Sequence, residues 1–460
     1  MTAPAEGRFG ASFRDPSGFL YRREGVLLRQ VNASYQPHYD KLRSSGLYDR
    51  LAGDGLLVPH EELPLDHAFS AAAYRVLKPA VVPFESYPYE WCFSQLKDAA
   101  LATLKIQKRA FESGMVLKDA SAFNIQFLRG RPILIDTLSL EEYVEGSPWV
   151  AYRQFCQHFL APLALMSRRD VRLGQLSRIH IDGIPLDLAA GLLPGRTRLS
   201  FTLLTHIHLH ARSQKTWGDR AVDLKGRRMG RLGFQGLIDS LEGAVSALTW
   251  KPAGSEWADY YQDTNYSPRA QEAKARIVAA MVREVGPGLV WDLGANTGFF
   301  SRIAAAAGAN VVSFDLDPAA VEKNYLQARS AGETNLLPLV MDFANPSPDL
   351  GWAGEERESL ARRGPADALL ALALVHHLAI GNNVPLARIA SFLAALGEHL
   401  IVEFVPKEDS QVRRLLRNRE DIFPEYSAAG FETALDSCFH LIRKEGEEDS
   451  PRVLYALRRK

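Results

Sequence analysis

Two patterns of apolar and polar residues divide the chain. In the first half the apolar positions recur mainly at helical spacing. In the stretch 90–113, EWCFSQLKDAALATLKIQKRAFES, residues Phe93, Leu96, Ala100, Leu104 and Phe111 share a face, and Gly114 is placed to end the helix. Two short apolar runs follow, NIQFL and PILID, separated by Arg-Gly-Arg, and predict a hairpin. Residues 148–250 read as mostly helical, with Pro148 at a helix start. From residue 268 the pattern alternates. The helix PRAQEAKARIVAAMVREV leads to the strand LVWDL and the helix TGFFSRIAAAAG. The strand NVVSFDLD, the helix PAAVEKNYLQARSAG and the strand LLPLVMDF come next. ALLALAL, VPLARIASFLAALG and HLIVEFV then read as strand, helix and strand. Apolar strands alternating with helices predict a parallel sheet covered on both faces, a Rossmann-like α/β domain.

The segment KPAGSEW, 251–257, carries Pro, Gly and Ser between the two patterns, so the expected division is 1–250, an α+β domain, and 251–460, the α/β domain. With 460 residues the chain is too long for one compact core, which agrees with that division. Lys plus Arg equals Asp plus Glu, 54 against 54, so bulk charge favours neither nucleic acid nor an anionic membrane as partner. A local exception is 212–231, which holds Arg212, Lys215, Arg220, Lys225, Arg227, Arg228 and Arg231 against Asp219 and Asp223. It reads as a solvated face or as a patch for a polyanion. Cys92, Cys156 and Cys438 form no CxxC pair, which argues against a cysteine zinc site or a disulfide framework. No apolar run is long enough to span a bilayer, and the first residues contain no signal-like stretch. The expected location is the cytoplasm.

The candidate chemistry centres on LVWDLGANTGFFSR, 289–302. A loop after a parallel strand lies where such sheets bind ligands. A P-loop would need a lysine after its second glycine, but Phe299 follows Gly298. A dinucleotide loop would need a glycine where Asn296 stands. Asp292, two residues before Gly294, would repel a pyrophosphate and suits an amino group. Asp315 ends the next strand and can accept from ribose hydroxyls. Asp342 ends the third and can accept from an adenine amine, with Met341 and Phe343 flanking the ring. Adenine, ribose and an amino-acid head without phosphate describe S-adenosyl-L-methionine.

These stretches, VWDLGANTGFFS, VVSFDLDPAAVEKN and LVMDFANPSPDLGW, resemble the successive cofactor motifs of the class I S-adenosylmethionine-dependent methyltransferases. The resemblance covers roughly 253–460. It is strongest to a bacterial subgroup, some of whose members are labelled nodulation proteins, with DALLALALVHHLA and HLIVEFVPKED in the later positions. It implies a cofactor site built from Asp292, Gly294, Asn296, Thr297, Gly298, Asp315, Leu316, Met341, Asp342, Phe343 and Ala373. Asn296 departs from the family's usual glycine.

Methyl transfer to a hydroxyl or amine needs a proton acceptor near the methyl group. His376 and His377, after the fourth strand, and Glu403, at the end of the fifth, are the candidates; each has a structural reading as a cap or core residue. Tyr260, Tyr261 and Tyr266 precede the first helix of the domain and either close over the cofactor or pack on the sheet. Asn382 and Asn383 could line an acceptor site. In HIHLH, 206–210, a strand would align three histidines, whereas a helix would separate His208 from His206 and His210. No carboxylate lies nearby, and no metal site is expected.

A second unit is LKDASAFNIQFLRGRPILIDTLS, 117–139. Asp119, Asn124 and Asp136 resemble, in type and spacing, the base and the two magnesium ligands of the protein-kinase-like fold, especially its aminoglycoside-phosphotransferase branch. The resemblance spans about 13–245. It departs at Leu117, where histidine is usual, and at Arg29, where a strand lysine is usual. DPSGFLYRREG is a poor glycine-rich loop. The expectation is a kinase-like domain that recognises acceptor or partner. The expected activity is methyl transfer to a small-molecule or glycan acceptor. The alternatives are an RNA or protein acceptor engaged by 212–231, a non-catalytic cofactor-binding scaffold, and a bifunctional kinase–methyltransferase.

Overall fold

The structure, a computed structural model, describes residues 7–211, 228–252, 268–417, 419–447 and 450–460. The chain divides into two compact units, Met1–Lys251 with Gly351–Glu356, and Pro252–Leu350 with Arg357–Lys460. Most of the basic stretch 212–231 and all three tyrosines of 260–266 lie outside the described residues.

The first unit is α+β. Strands β1 (Gly7–Arg8), β2 (Gly18–Arg23), β3 (Val26–Asn32), β4 (His60–Leu63) and β5 (Ala73–Pro79) form an antiparallel sheet in the order β1-β2-β3-β5-β4. This sheet was not legible in the hydrophobic pattern, because its strands are short and β4, HEEL, is polar and partly exposed. Glu24 and Gly25, both with positive φ, make the tight turn between β2 and β3. Two helices, Gln36–Ser44 and Leu47–Gly53, come between β3 and β4. The expected long helix spans Phe93–Glu112, and Gly114 beyond it takes φ 71°.

β6 (Met115–Leu117) and β9 (Leu140–Glu142) then pair around the expected hairpin of β7 (Ile125–Leu128) and β8 (Arg131–Leu134). Arg129 and Gly130 turn that hairpin at φ 52° and 72°. HIHLH lies in a π-helical stretch, Leu204–Leu209, not in a strand. His206 is held by Tyr152 and Ser240, and His208 by Thr197.

The second unit is a seven-stranded sheet. Its strands are β10 (Leu289–Leu293), β11 (Asn310–Asp315), β12 (Leu336–Val340), β13 (Ala366–Ala371), β14 (Gly397–Phe404), β15 (Phe439–Gly446) and β16 (Val453–Arg459). Their order is β12-β11-β10-β13-β14-β16-β15. The first five are parallel, as the alternation predicts; β16 and β15 add antiparallel. The hydrophobic pattern announces no strand beyond HLIVEFV, so this terminal hairpin is an addition to the expected parallel sheet. β15, FHLIRKEG, is largely exposed and lacks an apolar alternation that would announce it. The helix Pro268–Val285 sets Ile277, Val278, Met281 and Val282 against Val290, Val311, Ala368 and Ile401. That packing fixes the helix on the sheet, and its early residues Gln271 and Lys274 form one wall of the site.

Candidate active site

From β10 the chain builds outward through β11 and β12, then returns to lay β13 and β14 on the other side. Such a reversal opens a crevice between the loops after β10 and β13. A cavity of about 330 Å³ lies there, among the ends of β10 to β13 and the helix Pro268–Val285.

The β10 loop is shaped by backbone conformation. Gly294, Asn296 and Gly298 have φ of 81°, 51° and 81°. Asparagine tolerates this left-handed region better than other residues with a Cβ, so the departure at Asn296 is accommodated. At Gly298 a Cβ would stand 2.5 Å from Oδ1 of Asn324, whose Nδ2 donates to Ser313 Oγ. Gly298 therefore acts by closing the turn. Neither it nor Thr297 is among the residues lining the cavity.

Two carboxyls dominate the electrostatics. Asp292 is buried and accepts from Ser301 Oγ at 2.6 Å. Burial pushes it up to about 7, with a smaller contribution from Asp315. Asp315 accepts the N–H groups of Asn296 at 2.7 Å and Asp317 at 2.8 Å. Burial raises it to about 6 although those donors pull it down. A cavity holding two strained carboxyls favours a cationic guest. Leu316, Met341, Asp342, Phe343 and Ala373 complete the expected set along its walls. Phe343 is fixed edge-on to Phe314 at 5.9 Å between ring centres. The donor set fits S-adenosyl-L-methionine: Asp292 suits the ammonium, Asp315 the ribose diol, and Met341 and Phe343 the purine.

Of the proposed proton acceptors, only His377 lines the cavity. Burial lowers it to about 4, so it is a neutral imidazole at neutral pH. His376 is buried behind it, with ring centres 4.1 Å apart. Both His376 ring nitrogens lack a hydrogen-bond partner, and burial holds it well below the ordinary histidine range. Glu403 is fully buried and also lies behind the wall. Asn382 lines the cavity, whereas Asn383 accepts from Arg419 Nη2 at 2.5 Å.

Lining residues that escaped the sequence reading include Gln271, Lys274 and Phe300. Lys274 left a signal. It interrupts an apolar stripe through Ala270, Ile277, Val278 and Met281, and a charged residue on a buried face calls for a partner. That partner is Glu403, at 2.5 Å.

In the first unit, Asn124 and Asp136 meet through Ser139. Asn124 Nδ2 donates to Ser139 Oγ at 3.2 Å, which donates to Asp136 Oδ2 at 2.6 Å. Asp136 also accepts from Leu138 N–H and is ion-paired with Arg29. Asp119 accepts from Gln154 Nε2 at 2.8 Å and from Ser121 N–H at 2.9 Å. The carboxyls of Asp119 and Asp136 are thus engaged by the protein's own donors, and the Asn124 amide donates into the same network.

No family model matches the chain. It is 36% identical over 465 residues to the nodulation protein NoeA of Rhizobium meliloti (strain 1021), covering 99% of this chain and 97% of that relative. Among solved structures, magnesium protoporphyrin IX methyltransferase (ChlM) from Synechocystis PCC 6803 with bound SAH is 21% identical. The match covers 44% of this chain and 92% of that one, with a TM-score of 0.31. The bifunctional kinase-methyltransferase WbdD is 20% identical, over 46% of this chain and 45% of that one, with a TM-score of 0.30. Structural likenesses of this size say nothing about activity.

Proposed function

The chain belongs to the family of the nodulation protein NoeA, and on that premise we propose that it is an S-adenosyl-L-methionine-dependent methyltransferase acting on a small-molecule or glycan acceptor. The observation that carries this reading is the pair of carboxyls at the ends of adjacent strands in one cavity, Asp292 buried and Asp315 half-buried, each raised toward neutrality. A guest with an ammonium and a diol relieves both. A phosphate-bearing guest would not, and the cavity's cation, Lys274, is already paired with Glu403.

When bound, the cofactor supplies a methyl group on a sulfonium and leaves as a neutral thioether. The protein's own contribution is alignment and proton removal. Asp292 orients the amino-acid head, and Asp315 with the Met341–Phe343 segment orients the nucleoside. His377 receives the acceptor's proton. His377 would gain a positive charge only as the bound cofactor gives up its own, so the site would hold one cation throughout. Gln271 and Asn382 offer amides to a polyhydroxylated acceptor. The neutral overall charge agrees with a small or glycan acceptor rather than RNA.

The test is transfer of radiolabelled methyl from the cofactor to separated small-molecule, glycan, RNA and protein fractions. Label in the small-molecule or glycan fraction supports the acceptor class, and label in RNA or protein overturns it. Absence of label from every fraction, despite cofactor binding, supports a scaffold instead.

A further inference from the structure

Behind the cavity wall lies a cluster of buried charges. Glu403 Oε2 accepts two donors: Lys274 Nζ at 2.5 Å and the N–H of Ala373 at 2.7 Å. Its Oε1 accepts Arg452 Nη1 at 3.2 Å, and Arg452 Nε donates to Asp409 Oδ2 at 2.8 Å. A second carboxyl, Glu447, stands 3.7 Å from the Lys274 ammonium. Lys274, Glu403 and Arg452 are all buried.

Both donors to Oε2 line the cavity, and they come from different elements. Lys274 projects from the helix Pro268–Val285, and Ala373 lies in the loop after β13. Ala373 has φ 51°, a left-handed conformation that alanine rarely takes unless something holds it. The hydrogen bond from its N–H to Glu403 is such a hold. One carboxylate oxygen therefore ties two walls of the site together. A proton acceptor needs a lone pair open to the acceptor molecule. Glu403 has three donors on its oxygens and is not among the residues lining the cavity.

Resting on the methyltransferase reading, we propose that Glu403 is a positioning residue that braces Lys274 and the strained Ala373 into the cofactor-binding geometry, with Lys274 the other half of the brace. Arg452 and Asp409 anchor Glu403 from behind. The brace is neutral as a unit when Glu447 keeps its proton, since Lys274 and Arg452 then balance Glu403 and Asp409. Burial and the neighbouring Glu403 do raise Glu447 to about 7.

The experiment measures S-adenosylhomocysteine binding to the full chain by calorimetry, with thermal unfolding recorded for each variant. Glu403→Gln removes the negative charge between Lys274 and Arg452 and leaves one acceptor oxygen, so its NH2 stands against either Arg452 or the Lys274–Ala373 pair. It should weaken binding at least tenfold in protein that remains folded at the assay temperature. Lys274→Met should do the same, and the double variant should be little worse than either, because both break one unit. The specific readout is rescue. Glycine adopts φ near 50° freely, so Ala373→Gly added to Glu403→Gln should recover part of the lost affinity. A merely structural carboxylate would show lowered unfolding temperatures with unchanged affinity and no rescue, and that result overturns the proposal. Fully additive losses overturn it as well. If Glu403→Gln does not fold, Lys274→Met alone decides, with the same tenfold loss expected. Failure of the wild type to bind S-adenosylhomocysteine would instead sink the methyltransferase reading.

Discussion

Arg29 on β3 forms an ion pair with Asp136, a residue that lies beyond the β7–β8 hairpin and 107 positions later in the chain. The guanidinium supplies the positive charge that a carboxylate in a kinase-like constellation would otherwise take from a metal ion. Arg29, Ser139 and the Leu138 N–H together hold the Asp136 carboxyl below the usual carboxylate range against the opposing effect of burial. We therefore expect Mg²⁺–ATP titrated into the intact protein to give no heat that depends on Asp136. A binding isotherm lost in Asp136→Ala would show instead that the pair opens and that the first unit takes a nucleotide. The same substitution should lower stability by about 3 kcal/mol, because it strands a largely buried guanidinium. Denaturant unfolding of the full chain reads that loss.

The ionisation of Asp292 predicts how cofactor affinity depends on pH. Its ordinary value is 3.8, and burial raises it to about 7. A cationic head binds the ionised form. Below pH 7 the site must release a proton in order to bind, so affinity falls as pH falls, by up to about tenfold per unit. Above 7 it is level. Folding stability behaves in the opposite sense. A raised carboxyl favours the folded state at low pH, and that advantage is lost as pH rises toward 7. Calorimetric titrations with S-adenosyl-L-methionine from pH 5.5 to 8.5 would show the slope. Asp292→Asn should lose both the slope and most of the affinity. An unchanged slope in that variant would assign the proton to another group, of which Asp315, at about 6, is the first to examine.

Gly298 tests whether the β10 loop is set by sterics. Its φ is 81°, and an added Cβ would meet the Asn324 amide at 2.5–2.6 Å. Asn324 is buried and donates to Ser313, so it has little room to yield. Gly298→Ala should cost about 1–3 kcal/mol in unfolding experiments, from the strained backbone together with the displaced amide. Asn296→Gly, by contrast, should leave stability within about 1 kcal/mol, since glycine takes the same left-handed φ without strain. Equal effects of the two substitutions would show that the turn is not what restrains the loop.

The parts of this site that were legible in the sequence are those whose cause is local. Gly294 and Gly298 mark left-handed positions, and Asp292, Asp315 and Asp342 each lie at or just beyond the end of a recognisable strand. Their arrangement around one cavity follows from strand order alone. Glu403 was legible as a strand-end acid but not in its role. That role depends on Lys274, 129 residues before it, and Arg452, 49 after it. No spacing rule reaches so far. Likewise β15 was missed because an exposed antiparallel edge shows weak periodicity. In the first unit, Asp119, Asn124 and Asp136 stood out by spacing. Their mutual satisfaction by Gln154, Ser139 and Arg29 was visible only in three dimensions.

His377 offers the most direct test of the chemistry, because it alone of the three candidate proton acceptors lines the cavity. Its imidazole is neutral at neutral pH, because burial and Arg452 hold it at about 4. If it takes the acceptor's proton, His377→Ala should lower kcat for methyl transfer by about 10²–10⁴-fold while S-adenosylhomocysteine binding changes little. His376→Ala should act differently. It removes a buried ring without hydrogen-bond partners, and its effect should appear in unfolding temperature more than in kcat. Rate measurements at saturating cofactor, paired with calorimetry, separate the two. A loss confined to cofactor affinity in His377→Ala would make it a wall of the binding site and leave proton removal to solvent.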